Sequence, residues 1–126
     1  EYPGIRIHLV GHSYGGDTAA QISASMAGSP RPIDLLVTVD PVGRGTSSRF
    51  FDQVRDGTQR WINVNATGGG TLEPSNVIAG IGGAWNYAPM GHADEFLNVN
   101  AAHGQFSMMM RTQITGRSLE ELVAGR

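Results

Sequence analysis

Residues 5–20, IRIHLVGHSYGGDTAA, constrain this chain more than any other stretch. An apolar run from Ile5 to Val10 stops at Gly11, then comes Gly11-His12-Ser13-Tyr14-Gly15, and a helix-forming segment begins near Asp17. The order is strand, sharp turn, helix, with a serine at the turn. A turn this tight puts the serine in a strained backbone conformation and leaves little room for β-carbons beside it. Glycines are therefore expected on both sides, at Gly11 and at Gly15 with Gly16. The serine hydroxyl is lifted clear of the strand, and the Tyr14 amide stands at a helix N-terminus, where unpaired N–H groups favour negative charge.

The string G-x-S-x-G is weak by itself. With 18 glycines and nine serines in 126 residues, about 0.2 accidental matches are expected. Its context carries the weight, because the strand ends where the first glycine begins and the helix starts where the motif requires. In that context GHSYGG resembles the nucleophile elbow of the α/β-hydrolase superfamily, as found in its lipases, esterases and thioesterases. The resemblance implies Ser13 as nucleophile, the Tyr14 amide as one oxyanion donor, and an acid and a histidine later in the chain, in that order.

Composition excludes other classes. A chain of 126 residues fits one domain, and a net charge of −2 with pI near 6.1 gives no electrostatic reason for a nucleic-acid partner. No apolar run approaches the roughly 18 residues of a membrane span. Without cysteine there is no thiol catalysis, disulfide or cysteine-ligated zinc. All nine basic residues are arginine, which removes Schiff-base chemistry and a P-loop lysine. No metal or organic cofactor is implied, and the composition does not identify a compartment.

Only Glu1-Tyr2-Pro3-Gly4 precede the first apolar run. In the resembled superfamily several strands come before the elbow, and one of their loops supplies the second oxyanion amide. The resemblance therefore implies that residues 1–126 are the C-terminal part of a single catalytic domain, with those strands and that donor outside it.

Along the chain, Ile5, Ile7 and Leu9 alternate with Arg6, His8 and Val10, a strand in which Arg6 reaches solvent and His8 is a hydrogen-bonded structural residue. A helix from about Tyr14 to Ala27 carries small or apolar residues at Ala19, Ile22 and Met26 and at Ala20, Ala24 and Ala27, a stripe that should cover the sheet. Gly28 and Ser29-Pro30-Arg31-Pro32 end it. Leu35 to Val39 reads as a second buried strand, stopped by Pro41, which cannot donate to a ladder. Thr46, Ser47 or Ser48 caps a short helix with Phe50, Phe51 and Val54 inward and Gly57 at its end, with Arg44 and Arg49 solvated. Trp61 to Asn65 reads as a third strand.

Ala66 to Met90 is the least legible part. Gly68-Gly69-Gly70 reads as flexibility, and Ile78, Ile81, Trp85 and Tyr87 as a loose crossover helix or a flap beside the substrate. Phe96 to Val99 is a fourth strand, and a helix bearing Phe106, Met109, Met110 and Ile114 should pack on the sheet. Ser118 and Glu121 have capping-box spacing for a terminal helix. The expected fold class is α/β: a parallel sheet of about four strands with helices on both faces, a partial α/β-hydrolase fold.

Parallel crossovers bring all strand ends to one edge, where α/β sheets carry their sites. Asp40 leaves the second strand at that edge, either as a turn residue before proline or as the carboxylate that orients a histidine. His103 follows the fourth strand and His92 precedes it, and four strand residues rise about 13 Å, so only His103 reaches the Ser13 edge. For His12 the resemblance implies packing and hydrogen bonding beneath the elbow. The order Ser13, Asp40, His103 matches the superfamily, with the acid after the second strand as in some of its lipases and thioesterases. Glu73 and Asp94 are the alternative acids.

The function implied is a serine hydrolase acting on a carboxylic ester or thioester through a Ser-His-Asp triad, with a small acyl or lipid-like substrate. With one oxyanion donor outside the chain, residues 1–126 alone are expected to be nearly inactive. An acyltransferase or peptidase with the same triad, and a catalytically silent binding protein of the same fold, are the alternatives.

Overall fold

The computed structural model describes residues 4–126; Glu1 to Pro3 lie outside the described residues. Four strands form one sheet, β1 (His8–His12), β2 (Leu35–Val39), β3 (Trp61–Ala66) and β4 (Glu95–Val99), in the order β1-β2-β3-β4 and parallel throughout. Between them run α1 (Tyr14–Ser25), α2 (Ser48–Asp56) and α3 (Pro74–Gly82); α4 (Phe106–Met110), the hairpin β5 (Gln113–Ile114) and β6 (Arg117–Ser118), and α5 (Leu119–Val123) follow. The chain thus has the expected α/β class. Among the described residues no helix is long and apolar enough to cross a membrane.

Alternation along β2 explains the two layers. Leu35, Val37 and Val39 point to one face, where Ile62 and Val64 of β3 join Met109, Met110 and Leu119 from the C-terminal helices. Leu36 and Trp61 point to the other, against Ala19 and Ala20 of α1 and Phe51 and Val54 of α2. Thr38 and Asn63 lie fully buried in β2 and β3 and are joined by a relay: the Trp61 indole N–H donates to Thr38 Oγ1 (2.9 Å), which donates to Asn63 Oδ1 (2.6 Å), while Asn63 Nδ2 is left without a partner among the described residues. A β-carbon on Gly57 would stand 1.7 Å from the Ser23 carbonyl oxygen. Glycine there lets α2 end hard against α1, and its φ of −87° is an ordinary one.

Three expectations need correction. The first ladder begins at His8 and runs on through Gly11 to His12, because β2 starts only at Leu35, opposite His8. Ile5 and Ile7 precede it and are exposed, and Ile7 N–H donates to the Asp34 carboxylate at 2.8 Å. β1 occupies one edge of the sheet. In α1 the covered stripe is Gly16, Ala19, Ala20 and Ser23, while Ile22 is 47% exposed and Ala27 lies beyond the helix. Ile114 is not in the helix with Phe106, because Thr115 (φ 50°) and Gly116 (φ 84°) turn the chain into the β5–β6 hairpin.

The expected caps are present: Ser47 Oγ accepts from Phe50 N–H at 3.1 Å, and Ser118 and Glu121 form a reciprocal capping box. Gly68-Gly69-Gly70 is a built turn rather than a flexible one. Gly69 (φ 81°) and Gly70 (φ 74°) are left-handed, and a β-carbon on Gly68 would come within 2.6 Å of Asn100 Oδ1.

Candidate active site

Register brings the site together. His12 pairs with Val39, and Val39 with Val64, so β1, β2 and β3 end side by side and release Ser13, Asp40 and Thr67 at one edge. Ser13 has φ 60° and ψ −127°, a conformation costly for any residue with a side chain, of order 1–3 kcal/mol. It is over-determined by backbone hydrogen bonds: Ser13 N–H donates to Val39 O (3.1 Å), and Ser13 O accepts from Gly16 N–H (3.0 Å) and Val42 N–H (2.9 Å). A β-carbon on Gly11 would meet Gly15 O at 2.1 Å, and one on Gly16 would meet Pro41 Cβ at 2.8 Å. The steric demand therefore falls on Gly11 and Gly16. At Gly15 the space is open.

Asp40 also has positive φ, 43°, and is 6% exposed. Its amide donates to Val64 O (2.7 Å), and its Oδ1 accepts from Ala66 N–H (3.0 Å). Its Oδ2 takes a short hydrogen bond from His103 Nδ1, and His103 Nε2 lies 2.9 Å from Ser13 Oγ. An ionised carboxylate only accepts, so the imidazole carries its proton on Nδ1 and turns the Nε2 lone pair to the serine hydroxyl. Ser13, Asp40 and His103 are thus one continuous hydrogen-bonded chain, and the last two are nearly excluded from water.

The main chain of His103 is held as well. His103 N–H donates to Asn76 Oδ1 (2.8 Å), and its carbonyl accepts from His12 Nε2 (2.6 Å), with the two rings 5.0 Å apart. His12 therefore supports the loop that carries His103, as expected of a residue beneath the elbow. The Tyr14 amide is at the first position of α1, directly after Ser13, where no preceding helical turn supplies an acceptor.

The other candidates are elsewhere. His8 Nδ1 donates to Val123 O (2.8 Å), a structural contact at the far end of β1. His92 Nδ1 is 3.3 Å from Asp52, and Asp94 accepts from Trp61 N–H (2.7 Å) and pairs with Arg55 (3.0 Å), both at the edge where β3 and β4 begin. Glu73 caps α3, accepting from Ser75 Oγ and from Asn76 N–H (3.1 Å). The Ser75 hydroxyl, followed by the amides of Asn76 and Ser75, holds its carboxyl below the ordinary 4.5 against an opposing push from desolvation.

Ile78 and Ile81 do lie in a crossover helix, α3, with Trp85 and Tyr87 beyond its end, but sequence reasoning missed its first turn, Ser75 and Asn76, as part of the site. A Pro at the first helical position was its available signal, but Glu is an uncommon cap. Gly104 N–H donates to Ser75 Oγ (2.9 Å) at the start of α3, and a β-carbon on Gly82 at its end would stand 2.1 Å from the Tyr14 hydroxyl. The helix therefore runs from the His103 loop to the residue beside the nucleophile. Its Val77, Ile78 and Ile81 are 40%, 65% and 71% exposed. A cleft of about 340 Å³ opens beside it, lined by Asp40, Thr67, Asn76, Ala79 and Asn86. A larger one, about 430 Å³, lies between Arg6, Asp34, Arg60 and Arg117 at the opposite end of the sheet and holds no nucleophile. Among the described residues no group of three or more His, Asp or Glu is arranged to hold a metal ion. No protein-family model, curated protein or solved structure matches the chain.

Proposed function

We propose that the chain is a serine hydrolase of the α/β-hydrolase kind that cleaves a carboxylic ester or thioester through an acyl-enzyme. The observation that carries the reading is the 2.9 Å contact between Ser13 Oγ and the Nε2 of an imidazole whose Nδ1 is bound to Asp40. Nothing about a buried core needs a histidine and an aspartate aligned on a strained serine, and backbone strain collects at functional sites. Of the four non-glycine residues with positive φ among those described, two are Ser13 and Asp40.

In the mechanism, Nε2 of His103 takes the Ser13 proton as Oγ bonds to the acyl carbon, and the carbonyl oxygen becomes an oxyanion facing the Tyr14 amide. Asp40 keeps the imidazole in its tautomer and stabilises the imidazolium without being protonated. The imidazolium returns its proton to the leaving oxygen or sulfur as the tetrahedral species collapses. A water activated by the same Nε2 then releases the acid and restores Ser13. The exposed Val77, Ile78 and Ile81 beside this centre favour a substrate with an apolar acyl part.

The test is covalent labelling of the full-length protein, including any residues before or after 1–126, by a fluorophosphonate, with a panel of acyl esters and thioesters of graded chain length. Labelling should vanish in Ser13→Ala. Labelling that survives that substitution would remove Ser13 from the role.

A further inference from the structure

We propose that Asn76 is a positioning residue for His103, an inference that rests on the hydrolase reading above. Its amide makes three hydrogen bonds at once: Oδ1 accepts from His103 N–H (2.8 Å), and Nδ2 donates to Gly68 O (2.9 Å) and Gly70 O (2.8 Å). Only one orientation of the amide satisfies them, because two carbonyls need a donor and one N–H needs an acceptor. Asn76 thus ties the glycine turn after β3 to the loop that holds the imidazole.

The anchor is itself fixed. Asn76 N–H donates to the Glu73 carboxylate (3.1 Å) in the first turn of α3, and the neighbouring Ser75 Oγ accepts from Gly104 N–H (2.9 Å). Two consecutive amides after Ala102 are therefore held by two consecutive side chains of one helix. On the other side His12 Nε2 holds the His103 carbonyl at 2.6 Å. Between these supports the residue has little freedom to swing its ring away from Ser13 and Asp40. No other side chain accepts a hydrogen bond from His103 N–H among the described residues.

A misplacement of about 1 Å at a reacting group costs on the order of 100-fold in rate. Asn76→Ala removes all three bonds without touching Ser13, Asp40 or the ring of His103. Val54→Ala, in the core between α1 and α2, serves as a variant that loses stability far from the loop.

The experiment measures kcat and KM on an activated aryl ester, thermal melting, and the downfield proton resonance of His103 Nδ1–H, all below the melting range of each variant. For Asn76→Ala the expectation is a fall in kcat of about 10- to 100-fold with KM within threefold. Its Nδ1–H resonance should be lost or shifted, while Val54→Ala melts lower and keeps both kcat and resonance. Retention of kcat within threefold together with an unchanged resonance would overturn the proposal, as would equal losses of kcat in the two variants. All of these are measured on the full-length protein, including any residues before or after 1–126; if that protein neither turns over esters nor is labelled at Ser13, the hydrolase reading fails. The resonance then decides alone: its loss in Asn76→Ala supports the placing of the imidazole by Asn76, and its persistence refutes it.

Discussion

Asp40→Asn tests the relay with almost no change of shape. The carboxylate has two engaged oxygens, one accepting from Ala66 N–H at 3.0 Å and one from His103 Nδ1–H. An asparagine offers one acceptor and one donor, so it can satisfy one of these partners only. If its oxygen stays on Ala66, its NH₂ faces Nδ1, the imidazole shifts its proton to Nε2, and the lone pair needed by Ser13 is gone. If it turns the other way, the NH₂ meets the Ala66 N–H, and a donor pair is left unsatisfied at a residue only 6% exposed. A buried unpaired polar group costs about 1–3 kcal/mol, so the first arrangement, which keeps the backbone bond and changes only a tautomer, should prevail. A wrong tautomer in a relay of this kind costs about 10,000-fold in kcat. The expected result is a loss of 1,000- to 10,000-fold in acylation, with KM little changed and thermal melting within a few degrees. The assay is the rate of fluorophosphonate labelling and of ester cleavage at neutral pH. A loss smaller than tenfold would refute the argument that Asp40 sets the tautomer. It would move the acid role to one of the alternative carboxylates, Glu73 or Asp94.

Two further outcomes follow from the elbow and the terminal cap. Gly15→Ala should be tolerated and should raise stability by about 0.5–1 kcal/mol through helix propensity, since its β-carbon meets nothing within 4 Å. Gly11→Ala, with a β-carbon 2.1 Å from a backbone oxygen, should fail to give a folded, labelled chain, and equal melting of the two variants would contradict this. At the C-terminus, the Ser118 amide and then its hydroxyl hold the Glu121 carboxyl below its ordinary 4.5. A depressed folded-state value stabilises above the ordinary carboxyl range, and the contribution is lost as pH falls through the depressed value. Glu121→Ala should therefore melt lower than the unsubstituted chain at pH 7, with the gap narrowing in acid below pH 4.5. A gap independent of pH would show that the carboxylate charge has no part in the cap.

What could be read from the sequence was whatever has a local cause. The elbow is a contiguous strand, turn and helix, so Gly11 to Gly16 announce it within six residues. Parallel topology then fixes which ends share an edge, and this separates His103 from His92 without coordinates. β3 is harder, because Asn63 and Asn65 look wrong for a buried strand until Thr38 Oγ1 is seen to donate to Asn63 Oδ1 and Asn98 Oδ1 to accept from Asn65 Nδ2. The edge position of β1 and the exposure of Ile22 depend on which neighbours are present, and no periodicity in residues 5–27 encodes that.

The segment from Ala66 to Met90, of which only a crossover helix was legible, is obscure for a different reason, and the reason bears on function. Its structure is held by pairings of long sequence separation, Asn76 to His103 and Gly68 to Ala101, rather than by helix or strand propensity. Glycines that signal mobility in isolation are needed here for close approach, since any β-carbon on Gly68 would collide with Asn100. Ser13 and Asp40 sit in conformations that disfavour folding, each by an amount of order 1–3 kcal/mol. A chain can retain such residues only where surrounding bonds leave them no alternative. The elbow supplies that restraint at Ser13, and the ladder ends at Val64 and Ala66 supply it at Asp40. His103 has no strand to hold it, so its restraint has to come from the loop chemistry around Asn76, in the stretch where sequence patterns carry least information.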